Sequence, residues 1–535
     1  MRTALAALLM FAPAAAHAAG ASDITAATRK VDGLLDSWRF GQADAALEAL
    51  RKTAPNAPEV SYLDGYSKFM HGDYDGAAKA LATAASAANA SPDVKMLAEL
   101  AKEARDAIKD HKEERTAHIV IRYPAEDAVL VPYARDTLEA AYQALHDDLG
   151  FDAEIPIRVE FYRSPSDLAS VSSLSQAEVA RTGTIALCKW ARLMVTTPRA
   201  LAYGYPWLDS INHELVHYAV STLTGDRAPV WLQEGLAKFL ETRWRGAPGM
   251  AVDDMSISLL QEAAKKDKLI PFAKMHPSIA MLPTQEQAAL AFAEVEAAIR
   301  LLYQRGGQAA LTELVSAMAS GMTDEQAVAQ AYGKSFEEFE ADWRVELRKP
   351  RAKAVSQKAV RPSVAKKLVF KEDAKGRAEP PPLEAAVAET PPDQEGKRAA
   401  RLGEIFYSRR RWAAAVKEYA RARQRVPREV PLIARRYAFA QMQLGRFPEA
   451  EEALRSAVER DPDDEAAQAL YARVLLKRGA LDKARLALDN GIAVDPFDPD
   501  LHATYVEVAK GLKDPALEER ERNAVALAAG DAHHE

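Results

Sequence analysis

Gly445 and Gly479 stand 34 residues apart, and so do Ala450 and Ala484, and Pro462 and Pro496. The first set lies in Leu444-Gly445-Arg446-Phe447-Pro448-Glu449-Ala450, followed by Asp461-Pro462-Asp463. The second lies in Arg478-Gly479-Ala480-Leu481-Asp482-Lys483-Ala484, followed by Asp495-Pro496. A fixed period of this length marks one supersecondary unit repeated, since each copy needs its neighbour to bury its apolar face. Small residues at fixed places let paired helices approach, and the proline punctuates the passage between units. An earlier unit around Arg411-Trp412 and Val426-Pro427 fits the frame less cleanly, and about three units fit into residues 397–515.

The pattern resembles the tetratricopeptide repeat (TPR) and assigns residues 397–525 to an all-α repeat domain. A related pattern lies near the start. Phe40-Gly41-Gln42-Ala43-Asp44-Ala45-Ala46-Leu47 is echoed by His71-Gly72-Asp73-Tyr74-Asp75-Gly76-Ala77-Ala78, with Gly41 and Gly72 31 residues apart. Residues 25–112 therefore read as two divergent repeats and a capping helix. Residues 350–396 hold Pro350, Pro362, Pro380, Pro381, Pro382, Pro391 and Pro392 amid Lys, Ala and Glu. That composition buries too little apolar surface to order itself, so the segment reads as a flexible linker. Leu368-Val369-Phe370 is a candidate docking segment within it.

At 535 residues the chain is too long for one core. Its richness in Ala and Leu fits a mainly helical protein, and a net charge of -7 gives no reason to expect nucleic-acid binding. Arg2, the apolar run from Ala4 to Ala16, and the small-x-small triplet Ala16-His17-Ala18 read as a secretory signal over residues 1–18. The run is short for a bilayer span and Pro13 interrupts it. The expectation is an exported protein, periplasmic or secreted, with no stable membrane span after cleavage. Cys188 is the sole cysteine, so no internal disulfide can form. It reads as a small buried residue. His118 and His146 read as structural or surface histidines, His533 and His534 as a solvated tail, and Arg409-Arg410-Arg411 as a solvated face of a repeat helix.

The middle, residues 113–349, has mixed texture. His118 to Tyr123 reads as a strand. Ile155 to Tyr162 reads as another, with Ile157, Val159 and Phe161 on one face. Tyr133 to Leu149 has helical spacing, Leu193 to Thr197 reads as a strand with an edge on which an extended peptide could lie, and helices follow from Leu208. A small sheet followed by helices is an α+β domain.

The chemistry concentrates in Ile211-Asn212-His213-Glu214-Leu215-Val216-His217. On a helix, positions i and i+4 share a face, so His213 and His217 can aim two imidazoles at one ion while Glu214 stands beside it. Zinc wants a third protein ligand and an open position. Seventeen residues after His217 comes Glu234, in Pro229-Val230-Trp231-Leu232-Gln233-Glu234-Gly235-Leu236-Ala237-Lys238-Phe239-Leu240-Glu241. A turn at Thr224-Gly225-Asp226-Arg227 would return this second helix antiparallel to the first, with Trp231 anchoring its start.

The two motifs together resemble the gluzincin metallopeptidases, most closely their peptidase-MA-like branch and more distantly the aminopeptidase N family. The resemblance implies a zincin-like fold for 113–349, one Zn2+ per chain bound by His213, His217 and Glu234, Glu214 as general base, and a peptide or protein substrate. Lys268-Leu269-Ile270-Pro271-Phe272 and the tail from Tyr332 to Trp343 also look like segments of such domains. The Gly-x-Met-Glu-Asn motif that grips a substrate's free amine is not found, so the reading is an endopeptidase whose repeats recruit proteins. Where MA-like domains tend to carry a Tyr as oxyanion donor, this chain has Phe292, and Tyr203, Tyr205, Tyr303 and His276 are the other candidates. The alternative is an interaction scaffold whose protease-like domain binds metal but turns over little.

Overall fold

The computed structural model describes residues 18–246, 249, 254–349, 393–426 and 430–531. The signal reading rests on residues outside these except for Ala18, and the linker from 350 to 392, its Leu368-Val369-Phe370 segment, and His533 and His534 also lie outside them. The chain divides into two compact units. The first holds the residues up to Ala125, Tyr133–Thr197 and those from Asp209 to the linker; the second holds Glu126–Pro132, Pro198–Leu208 and the C-terminal helices.

The first unit begins with helices α1 (Ala18–Asp36), α2 (Phe40–Thr53), α3 (Pro58–His71), α4 (Tyr74–Ala85) and α5 (Pro92–Ala107). They pair as hairpins α1–α2 and α3–α4, with α5 packed on α4. The turn of each hairpin needs one left-handed residue. Trp38 supplies it at φ 58° and Gly72 at φ 80°, 34 positions apart. Gly41, which the sequence pairs with Gly72, lies inside α2 instead. The period here is therefore 34 rather than 31, hidden because a tryptophan stands at the glycine position.

A five-stranded sheet follows: β1 (Lys112–Arg115), β2 (Ile119–Tyr123), β3 (Ile157–Tyr162), β4 (Ala186–Lys189) and β5 (Arg192–Thr196). Its order is β1-β2-β3-β5-β4. The β2-β3-β5 centre is parallel and both outer pairs are antiparallel. The edge expected at Leu193–Thr197 is not there. β5 is internal and buried at every position, and the edge is β4. A central parallel strand is covered on both faces, which its unbroken Leu-Met-Val run reflects.

β3 is also buried at all six positions, including Arg158 and Glu160, which alternation would expose. Their charges are met inside. Arg192 Nη1 lies 3.0 Å and Arg122 Nη1 3.3 Å from the Glu160 carboxylate. Tyr162 donates to it at 2.7 Å and Tyr74 at 2.8 Å. Arg158 donates to the Tyr74 hydroxyl at 2.9 Å and to the Met70 carbonyl at 2.6 Å. Tyr74 opens α4, so this cluster ties the N-terminal hairpins to the sheet. His118 is structural as expected, 2.7 Å from Glu139 and stacked on Tyr142, and His146 faces the Phe151 carbonyl at 3.0 Å.

The remaining helices of the first unit include α6 (Val131–Leu149) and α9 (Trp207–Thr224), each without its first two residues, which belong to the second unit, and α7 (Pro165–Ser170), α8 (Gln176–Thr182), α10 (Val230–Leu240), α11 (Asp254–Lys265), α12 (Gln285–Ala319), α13 (Asp324–Tyr332) and α14 (Phe336–Arg348). Ser335 and Glu338 form a capping box that starts α14 at the Phe-Glu-Glu-Phe run.

The second unit contains α15 (Gln394–Ser408), α16 (Trp412–Gln424), α17 (Pro431–Gln443), α18 (Phe447–Arg460), α19 (Glu465–Lys477), α20 (Leu481–Ile492), α21 (Pro499–Leu512) and α22 (Pro515–Asp531). These are four hairpins where the sequence pattern counts about three. Each turn again holds one left-handed residue: Arg410, Gly445, Gly479 and Lys513, at φ 54°, 73°, 73° and 59°. The two glycine copies are the two that read clearly. Arg410 therefore belongs to a turn and not to a helix face. A non-glycine residue held there carries a backbone penalty, so Arg410→Gly is expected to stabilise the protein by about 0.5–1 kcal/mol. A thermal melt that stays level or falls would show that the Arg410 side chain contributes more than its backbone loses.

Also in this unit, the turn between α20 and α21 grips the segment that leads into α9. The Tyr205 amide donates to the Val494 carbonyl and the Trp207 amide to that of Ala493, each at 3.1 Å. The Trp207 indole donates to the Ile492 carbonyl at 2.9 Å. Gly204 passes so close that a Cβ there would sit 2.3 Å from the Val494 oxygen. Arg199 lies 4.0 Å over the Phe497 ring and donates to Asp127.

Among the described residues no helix is long and apolar enough to cross a membrane.

Candidate metal centre

α9 carries His213 and His217 one turn apart. The helix ends at the expected turn, where Gly225 and Asp226 are both left-handed at φ 59° and 57°. The Asp226 amide donates back to Ser221, and Ser221 donates to the Asp226 carboxylate at 3.2 Å. α10 then runs antiparallel: His217 faces Gln233 while His213 faces Glu241, eight residues further on. Trp231 anchors the start of α10 as expected. Its ring stacks on Phe272 at 4.2 Å and its indole donates to Asp324, with Phe272 in turn 5.2 Å from Trp343.

Glu234 meets both histidines. His213 Nε2 and His217 Nε2 are 3.2 Å apart, and Glu234 Oε2 lies 3.4 Å from the first and 3.5 Å from the second. Four ligands at zinc bond lengths of about 2.0–2.1 Å stand about 3.3–3.4 Å from one another when tetrahedral. The triangle of these three atoms has that size. Among the described residues these three form the one group able to hold a metal ion. Their side chains are 16%, 17% and 19% exposed, so solvent reaches the group.

The surroundings fix the donors. His213 Nδ1 lies 3.0 Å from the Glu241 carboxylate, and His217 Nδ1 lies 3.3 Å from the Gln233 side-chain oxygen. Each Nδ1–H is thereby engaged, which leaves each Nε2 lone pair for a metal. The Gln233 amide donates to Ser221, which sets which of its ends faces His217. Lys238 donates to the other oxygen of Glu241 at 2.6 Å. The two motifs name the three ligands and the base but give Gln233 and Glu241 no role. The signal was there for Glu241, which lies seven residues after Glu234 and so on the same helix face.

Glu214 is buried, and burial first of all raises its pKa, against the pull of His217 and His213. The backbone amide of Cys188, on edge strand β4, supports the ionised form. Glu234 is opposite in sense: burial opposes its charge, but His217 and His213 hold its carboxyl well below the usual range. Burial likewise opposes charge on His213, yet Glu234 and Glu241 raise its pKa to about 10. Carboxylates therefore dominate the cluster. A divalent cation would meet them while both Nε2 atoms served as donors. Cys188 is partly buried rather than fully buried as expected, and burial with Glu214 pushes its thiol well above the ordinary value, which lowers its nucleophilicity.

Of the residues weighed as oxyanion donors, Tyr303 lies 5.2 Å from the Phe239 ring, Tyr203 and His276 are exposed, and Tyr205 is buried in the second unit. Phe292 lies partly buried on α12.

Gly235 sets how near α12 comes to α10. A Cβ there would stand 2.8 Å from Ile299 Cγ1 and 2.9 Å from the Val295 carbonyl oxygen. Gly235→Ala must push α12 away and shift Glu234 next to it. The expected cost is about 1–3 kcal/mol, with weaker zinc binding in a competition titration; unchanged zinc affinity would mean that α10 keeps its place without this contact.

Residues 137–349 match the family model of the Peptidase MA superfamily. Residues 28–92, 406–473 and 441–505 match tetratricopeptide repeat models. No curated protein matches the chain. Among solved structures, it is similar to the TPR2AB domain of yeast Sti1 in complex with pHSP90, at 18% identity over 51% of this chain and 97% of that chain, TM-score 0.19. It is also similar to the Cut9–Hcn1 hetero-tetramer of the APC/C, at 11% identity over 95% of this chain and 80% of that one, TM-score 0.26.

Proposed function

We propose that the chain is a zinc-dependent endopeptidase whose two sets of repeats recruit protein substrates or partners. One observation carries the reading: three donor atoms 3.2–3.5 Å apart, with both histidines held through Nδ1 so that Nε2 faces inward. His213, His217 and Glu234 would hold the ion. When bound, zinc polarises a carbonyl and makes water more acidic. Glu214 takes the proton of the attacking water and returns it to the leaving amine. Its raised pKa suits that task, because a base must also give its proton back. Glu241 and Gln233 keep the imidazoles in one tautomer and orientation. An extended peptide can add to the free edge of β4, whose Cys188 amide adjoins Glu214.

The proposed layout is a signal over 1–18, repeats over 25–112, the protease domain over 113–349, a linker over 350–396 and repeats over 397–525, in an exported protein. Phe292 favours a second reading, a scaffold with a weakly active protease-like domain. The test is hydrolysis of casein and of a peptide library by the purified chain, alongside its zinc content. Zinc near one per chain, with cleavage inside peptides that a chelator abolishes and zinc restores, supports the enzyme. Zinc without cleavage supports the scaffold, and a chain that takes up no zinc overturns both.

A further inference from the structure

Trp190 and Ala191 make the two-residue turn between β4 and β5, with Lys189 and Arg192 paired across it. Both turn residues are left-handed, at φ 53° and 51°. Two left-handed residues in a row fit the twist of a hairpin, but the position belongs by preference to Asn-Gly or Gly-Gly. Tryptophan and alanine are strained there, and such strain persists only where the surroundings impose it. The surroundings here come from one place. The half-buried Trp190 meets Phe69 edge-on, with ring centroids 5.7 Å apart. Arg158 Nη2 donates to the Trp190 carbonyl at 3.3 Å and to that of Ala191 at 3.4 Å. The same guanidinium donates to the Met70 carbonyl and the Tyr74 hydroxyl. Phe69, Met70 and Tyr74 flank left-handed Gly72, at the tip of the α3–α4 hairpin.

What this turn holds is β4. It is four residues long, all of them half-buried, and it pairs on one side only, with β5. So short an edge strand has little hold of its own. Yet its Cys188 amide meets the Glu214 carboxylate. We propose that the tip of the α3–α4 hairpin is the positioning element of the substrate edge: through Trp190 and Arg158 it keeps β4 where an extended peptide can add as the next strand beside Glu214. Phe69 and Trp190 are then positioning residues, acting on the site through β4. The N-terminal repeats serve the protease site directly, besides any protein they recruit. The inference rests on the reading of β4 as the peptide-binding edge and does not require hydrolysis.

The test is amide hydrogen exchange in the full chain carrying Glu214→Gln, so that no probe is consumed, with and without peptides from a casein digest. The peptides are expected to slow exchange at residues 186–189. Trp190→Ala is expected to speed exchange there in the free chain. It should also raise the peptide concentration for half protection by about 3–10-fold, the weight of one aromatic pair. Trp190→Phe, which keeps a ring against Phe69, should restore both. Exchange in α9 and α10 and the zinc content should stay level, whereas a general loosening would move them too. If Trp190→Ala melts below the parent chain, Phe69→Leu, which keeps the core filled, decides by the same readouts. Unchanged exchange at 186–189, faster exchange with unchanged half protection, or peptides that leave β4 unprotected would overturn the proposal. Peptides that protect β4 in a wild-type chain that cleaves none of them would overturn the enzyme reading alone.

Discussion

Replacing Glu214 by glutamine is expected to cut peptide hydrolysis by about 10²–10⁴-fold, the usual range for a positioned general base, while zinc content stays at about one per chain. The argument turns on position. Glu214 lies between His213 and the rest of the helix turn, yet the triangle of donor atoms is closed by Glu234. Removing its charge therefore takes away a proton carrier and leaves the ligand set intact. Glutamine keeps the shape and can still meet the Cys188 amide through its carbonyl oxygen. The contrasting variant is His213→Ala, which should lose both zinc and activity. Hydrolysis by Glu214→Gln at the wild-type rate would show that another group moves the proton.

The second large effect concerns Glu160. Glu160→Ala is expected to destabilise the protein by about 3–5 kcal/mol in chemical denaturation, because removing one member of a buried ion cluster strands the others. Arg192 is fully buried beside it, and Arg158 and Arg122 point at the same carboxylate. Burial alone would raise the Glu160 pKa, but Arg192, Arg158 and Arg122 together lower it from 4.5 to about 2. A carboxylate whose folded pKa is depressed adds stability that is complete above its unfolded value and is lost as pH falls through the folded one. The window is thus pH 4.5 down to about 2, and the contribution at stake is about 3 kcal/mol by linkage. The wild type should lose that much more than Glu160→Ala between those limits. Parallel acid profiles for the two proteins would mean that Glu160 is not ionised in the fold.

The same cluster shows where sequence reading stops. Ile157, Val159 and Phe161 were legible as one buried face of β3, but Arg158 and Glu160 look like a solvated face until residues 74, 122 and 192 are brought to them. β4 has four residues with no apolar alternation of note, so its place at the sheet edge depends wholly on pairing with β5. The repeats were legible where glycine takes the left-handed turn position, at Gly445 and Gly479. They were obscure where Arg410, Lys513 or Trp38 takes it, since a backbone angle leaves no mark in those side chains. In the metal centre, His213, His217 and Glu234 stood out by spacing and resemblance. The Cys188 amide could not, because every residue has one. Glu241 could have been found, but a glutamate on a helix is too common to single out.

The grip of the α20–α21 turn on Trp207 bears on how the protein is made. The indole and its carbonyl partner are 285 residues apart in sequence. A ribosome releases the start of α9 long before it has built the residues that hold it, and contacts of such separation form late and slowly. The surroundings of Trp207 are therefore completed only after the residues of α20 exist. A nascent chain that has not yet reached Ile492 has Trp207 without this partner.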